Sequence, residues 1–234
     1  MRFYIGLAYL ALVCLLSLRA LRKIPVPAYI IVALIWFSLG SDLMCYAVYS
    51  ANKGSVSSAE IYKLYAPIEH IYALFEFFAQ LLFVYMISKS RGLKNSITIV
   101  VPIFFAGWVY SQFMPGVAAM KNEPSIFFAT SIANTYILIV LWSQAKNVSE
   151  EKNLFSRSIL WETLRQLFLS EVGKIFIALF VYNLFQLFIF LLILVNENIS
   201  SVITQYTHSF SLAVRNTLVA MSFIQSLRKG TDDA

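Results

Sequence analysis

The sequence predicts an all-α polytopic membrane protein, a bundle of seven transmembrane helices. Three observations carry that reading. The chain is 59% hydrophobic and 13% charged, with a mean hydropathy of +0.73, whereas soluble domains carry about 25% charged residues. Its apolar residues form repeated continuous runs of roughly 20, the length that crosses a hydrocarbon core, rather than the alternating pattern of barrel strands. Its basic residues gather in alternate connections, as cytoplasmic loops require. Seven spans in 234 residues leave no room for a soluble domain, so any kinase, nucleotide-binding or DNA-binding output is expected on another chain.

The first span is expected over 3–18 and the second over 27–50, opened by Pro25 and Pro27. The third runs over 64–88 and the fourth over 96–114, ending before Met114-Pro115-Gly116. The fifth covers 125–145, after Pro124, the sixth 173–195 and the seventh 201–226. The connection between the fifth and sixth is not plain linker. Leu154, Phe155, Ile159, Leu160, Leu164, Leu167 and Phe168 recur at helical spacing, with Glu151, Lys152, Arg157, Glu162 and Arg165 between them. This predicts an amphipathic helix over 153–170 at the membrane interface, with Trp161 as a headgroup anchor.

Loop charge predicts the orientation. Arg19, Arg22 and Lys23 fill the first connection, and Lys89, Arg91 and Lys94 the third. Lys146, Lys152, Arg157, Arg165 and Lys174 mark the fifth, and Arg228 and Lys229 the tail. Only Arg2, Lys53, Lys63 and Lys121 fall on the other side, four basic residues against thirteen. The N-terminus is then outside and the C-terminus cytoplasmic, in a multi-pass protein of an inner (cytoplasmic) membrane. The same charges read the first span as an uncleaved helix, because a cleaved leader would carry Arg19, Arg22 and Lys23 across the membrane. The net charge of +6 reflects this loop bias and predicts no nucleic-acid partner. Cys14 and Cys45 both sit inside apolar spans, as small packing residues, without the spacing of a disulfide framework or a metal site.

Six ionisable residues lie inside the spans: Asp42, Glu69, His70, Glu76, His208 and Arg215. A charge at the bilayer centre is costly, so such residues face a protein interior or a wet cavity. Glu69 and Glu76 are seven residues apart and share one helical face with Tyr72, and His208 and Arg215 repeat that spacing. Facing each other, the two stripes pair Glu76 or Asp42 with Arg215, and Glu69 with His208. His70 is about 100° around the helix from Glu69 and turns elsewhere. Asn134, Asn183, Gln186 and Asn216 are secondary candidates for the same polar interior. Such a constellation suits either a structural ion-pair network or an outward-open cavity for a ligand, a proton or a cation.

Several chemistries are excluded. The last span has no lysine for a retinal Schiff base. Two histidines are too few for a seven-helix zinc hydrolase, and Asp42 alone is too few for an intramembrane aspartyl protease. Nucleophile-elbow, Walker and dinucleotide glycine patterns do not occur. No catalytic residue, metal site or cofactor is expected. Phe37–Ser41 with Asp42, then Pro67–Glu76 with its Tyr72 to Glu76 element, then His208 and Arg215-Asn216, resemble uncharacterised seven-helix inner-membrane proteins of bacteria. The resemblance implies a membrane sensor portion whose signalling module lies elsewhere. The expectation is therefore a receptor-like or accessory subunit in the lipid bilayer, coupled to a membrane or cytoplasmic signalling protein. A small proton- or cation-coupled transporter or channel, and an enzyme acting on lipid, are the alternatives.

Overall fold

A computed structural model describes residues 2–113, 131–140, 143, 156–195 and 201–232. Its elements are α1 (Arg2–Ala20), α2 (Ala28–Asn52), α3 (Ser58–Ile87), α4 (Arg91–Phe113), α5 (Ser131–Val140), α6 (Ser156–Leu169), α7 (Glu171–Val195) and α8 (Ser201–Asp232). Helices Ala28–Asn52, Ala66–Ile87, Arg91–Tyr110 and Glu171–Ile189 are long and apolar enough to cross a bilayer, while Gly6–Ala20 and Ser131–Val140 are apolar but shorter. The protein is therefore a helical, multi-pass membrane protein. The predicted seventh span falls within α8, whose Thr, Gln, His, Arg and Asn residues dilute its hydropathy.

Local chemistry sets the helix ends. Gly54, at φ +88°, turns the chain between α2 and α3, a conformation in which a Cβ is disfavoured. Ser57 and Glu60 then form a capping box: the Ser57 hydroxyl accepts from the Glu60 N–H, and the Glu60 carboxylate accepts from the Ser57 N–H at 2.9 Å. The Ser57 hydroxyl also donates to the Glu60 carboxylate at 2.7 Å, and this bond and the one from the Ser57 N–H hold the exposed carboxyl below the usual range, with nearby Lys63 acting in the same direction. This box starts α3 six residues before the predicted span, and α4 begins at Arg91 rather than at 96. At the other end Ser170 alone separates α6 from α7, and its hydroxyl accepts from the Gly173 N–H at 2.9 Å. The amphipathic stretch predicted over 153–170 forms α6, with 153–155 outside the described residues, as are most of 114–155 and the 196–200 link.

The short connections make sequential helices neighbours. α2 lies against α1 and α3 and touches α7, α4 flanks α3, and α8 lies between α1 and α7. α7 and α8 run antiparallel over the longest contact of the bundle, pinned where Ser222 donates to the Glu171 carbonyl at 2.9 Å and Lys174 to Gln225. Trp36 of α2 donates to Ser17 of α1 at 3.1 Å, and the Tyr9 and Thr217 hydroxyls meet at 2.8 Å.

Burial is lopsided. Every buried residue of α2 lies between Ala28 and Ser38, and its second half is without one. In α3 burial runs from Glu76 to Val84, with Ile61 the exception before it, and in α7 from Gly173 to Asn183, with Ile189 the exception beyond it. Among the described residues the bundle is thus packed at the end where α3 stops and α7 starts. Among those residues burial is sparse at the end where α2 stops and α3 starts. The closed end is filled by Phe83, Phe176, Leu179, Val219 and Phe223, each almost completely buried.

Candidate functional site

Glu69, Tyr72, Glu76 and Gln80 of α3 share a single stripe by helical periodicity. That stripe meets α7 and α8 where the closed half of the bundle begins. Glu76 is at the centre. Its Oε1 accepts from Arg215 Nη1 at 2.5 Å and from the Tyr72 hydroxyl at 3.2 Å. Its Oε2 accepts from the Tyr182 hydroxyl at 3.2 Å. Arg215 Nη1 also reaches the Tyr72 oxygen at 3.3 Å, and its Nε donates to Asn216 Oδ1 at 3.2 Å. The guanidinium lies 4.7 Å from the centre of the Tyr182 ring, a cation–π contact. The Glu76 and Arg215 side chains are 12% and 2% exposed, so the pair is out of solvent and depends on these partners.

Aromatic packing positions the ring of Tyr72. Phe37 of α2 stacks on it at 6.3 Å and touches Phe75 at 4.4 Å. Two further polar pairs flank the centre. Toward the open end, Gln186 donates to the Ser211 hydroxyl at 3.4 Å. Toward the closed end, Asn183 donates to Gln80 Oε1 at 2.5 Å. Beyond Gln80 the apolar residues of the closed end follow directly. The seam is therefore three layers deep, and Phe176, Leu179, Val219 and Phe223 stand between it and the Lys174–Gln225 and Ser222–Glu171 bonds nearer the start of α7.

The structure brings Tyr72, Glu76, Arg215 and Asn216 into one cluster, with Asn183 and Gln186 one layer away on either side. Asp42 is not in it. The expected choice between Glu76 and Asp42 as the ion-pair partner of Arg215 goes to Glu76. Asp42 is exposed and feels Arg215 only through its longer-range field. Glu69 is exposed too, and its charge interacts with that of Asp42 and reaches Cys45. The expected partner of Glu69, His208, has its side chain outside the described residues, and His70 is half-buried. Among the described residues no hydrogen bond joins Asn134 to the cluster. It is buried on α5 with neither amide atom hydrogen-bonded.

Tyr182, Gln80 and Ser211 belong to the network without having been singled out from the sequence. Gln80 carries a usable signal, four residues after Glu76 on the same stripe. Tyr182 carries little, since tyrosine in a membrane span is ordinarily an interface or packing residue. Among the described residues no group of three or more His, Cys, Asp or Glu side chains is placed to hold a metal ion. No family model, curated protein or solved structure matches this chain.

Proposed function

We propose that the protein is a receptor-like membrane subunit: it binds a small ligand in a cleft between the membrane halves of α2, α3, α7 and α8, and passes the change to a partner. The observation that carries this reading is the lopsided packing around Glu76 and Arg215. A conducting path needs polar groups or space along its whole length. Here the polar seam stops at Gln80 and Asn183 against fully buried aromatic and aliphatic side chains. An open upper half over a sealed lower half fits occupancy better than passage.

Seven spans, with the N-terminus outside in an inner membrane, complete the proposal and rest on the loop charges. In that orientation the cleft opens outward. Tyr182 and Asn183, at its floor, are on α7, which starts one residue after the amphipathic α6. A small movement of α7 is therefore passed to the cytoplasmic surface through the α6–α7 turn.

The test is native mass spectrometry of protein extracted gently from its own membranes, beside flux assays in reconstituted vesicles. The expected result is a stoichiometric protein partner and no ion flux above that of protein-free vesicles. A proton or cation flux that disappears in Glu69→Gln replaces this reading with a carrier.

A further inference from the structure

The closed end of the bundle carries a cavity of about 400 Å³ at the elbow between α6 and α7. Ile87 bounds it from the last turn of α3, Thr163, Gln166 and Leu167 from α6, and Phe176 from α7. Its depth in the membrane follows from these residues. The apolar spans Ala66–Ile87 and Glu171–Ile189 end and begin at this level, and the span Arg91–Tyr110 starts four residues after Ile87. The cavity therefore lies where hydrocarbon gives way to headgroups. It is also preformed. The Ser170 hydroxyl donates to the Leu167 carbonyl at 3.1 Å and accepts from the Gly173 N–H at 2.9 Å, which fixes the elbow.

The lining is divided by chemistry. Leu167, Gly173 and Phe176 are buried at its base, whereas Gln166 and Ser170 are exposed. Gln166 brings amide donors and an acceptor to the mouth. Among the described residues no charged side chain lines the cavity, but several stand close to it in the chain. Lys89 is exposed two residues beyond Ile87, within about 8 Å of it along the backbone. Arg91 is exposed two residues further on. Arg165, next to Gln166, pairs with Glu162 at 3.6 Å, and Lys94 is turned over the Tyr85 ring at 5.2 Å. Against the acidic Glu162 and Glu171 stand Lys89, Arg91, Lys94 and Arg165, so the surroundings are net positive. Beside the mouth, Phe168 and Leu169 of α6 are exposed apolar groups. A polar mouth, basic neighbours and adjoining apolar surface at headgroup depth match a lipid with a net negative headgroup, the kind that basic pockets between transmembrane helices hold.

We propose that the cavity between α3, α6 and α7 binds an anionic phospholipid of the phosphatidylglycerol class. The phosphate and headgroup hydroxyls meet Gln166, Lys89 and Arg91 supply the counter-charge, and the acyl chains run along Phe168 and Leu169. A zwitterionic lipid brings its own ammonium to a basic neighbourhood and is selected against. Among the described residues α6 packs chiefly on α7, and a lipid in this cavity joins it to the end of α3 as well. The site uses none of the Glu76–Arg215 network and is independent of the receptor-like reading.

The experiment is native mass spectrometry of the delipidated full chain, titrated with phosphatidylglycerol or phosphatidylcholine of the same acyl chains. The first phosphatidylglycerol is expected to bind about tenfold or more tighter than the first phosphatidylcholine. That preference should fall to about twofold in the double variant Lys89→Gln with Arg91→Gln. The first binding step should disappear in Gln166→Trp, which fills the cavity from an exposed position. Arg22→Gln, at an exposed cation of the α1–α2 connection, should change neither. Equal affinity for the two lipids overturns the anionic class. Full retention in Gln166→Trp overturns the cavity. A loss in Arg22→Gln as large as in the Lys89 and Arg91 variant replaces the site with a diffuse basic surface. Equal binding of sn-glycerol 3-phosphate replaces the lipid with a soluble phosphate. In the wild-type chain, phosphatidylglycerol carrying a headgroup diazirine should cross-link within 87–91 or 163–173. Cross-links confined to other segments overturn the assignment, and this measurement decides the question even where a variant does not fold.

Discussion

Glu76 accepts from an arginine and two tyrosines, and so all its neighbours are donors. Removing one member leaves the others buried without a counterpart, the situation in which a buried ion pair is costly to break, by about 3–5 kcal/mol. Arg215→Met is therefore expected to destabilise the protein by about that amount. The double change Glu76→Gln with Arg215→Met should recover a large part of the loss, because it removes the uncompensated charge. Reversible unfolding in detergent, read as a double-mutant cycle, checks both. Equal and additive losses from the two single changes would show that the pair is not coupled. The sequence exposed Glu76 and Arg215 by their charge alone. It left the choice between Glu76 and Asp42 open, because helical depth places both carboxylates near the guanidinium and only the packing of α2 against α3 turns one of them away.

At the scale of the element, the ends of α3 and α7 are held by side chains that the apolar periodicity does not report. The Glu60 carboxyl is kept below its usual range by the two bonds from Ser57. A carboxyl depressed on folding stabilises the folded state above its unfolded pKa, near 4.3 for an ordinary Glu, and that contribution is lost as the pH falls through the lower folded value. The first turn of α3 should accordingly fray on acidification below about pH 4. Hydrogen exchange of the amides from Ser57 to Ile61 measures this, and Ser57→Ala should give the frayed rates already at neutral pH. At the α6–α7 turn a Cβ on Gly173 would overlap the Leu167 carbonyl and the Ser170 hydroxyl. Gly173→Ala should cost about 1–3 kcal/mol, as overpacked sites do. If α6 reports on the cleft, the same change should also uncouple the partner from the ligand. The turn borders a cavity of about 400 Å³ lined by Ile87, Thr163, Gln166, Ser170 and Phe176.

For the whole molecule, the orientation decides which compartment would supply a ligand to the proposed receptor. With the native cysteines replaced by alanine, Lys53→Cys is expected to react with a membrane-impermeant maleimide on intact cells, and Arg91→Cys only after the membrane is opened. The reverse pattern would turn the cleft toward the cytoplasm. Packing supports one further point at this scale. The aromatic and aliphatic layer of Phe83, Phe176, Leu179 and Phe223 closes one end of the bundle, and among the described residues the second half of α2 contributes no buried side chain at the other. The same polar stripe on α3 would serve a continuous channel in a bundle packed evenly along its length.

Composition and apolar run length determined the helical membrane class and the positions of most helices, and the few charges inside the spans included the buried Glu76 and Arg215, because lipid tolerates little else along the backbone. The polar stripe on α3 was legible for the same reason, since a period of 3.6 residues needs no tertiary information. Tertiary structure alone decided that Glu76 holds Arg215, that Tyr182 and Gln80 complete the network, and that Asp42 and Glu69 remain in the open half. These outcomes depend on which helix faces meet and where the bundle splays, and both are properties of contacts between segments more than a hundred residues apart, such as Glu76 and Arg215.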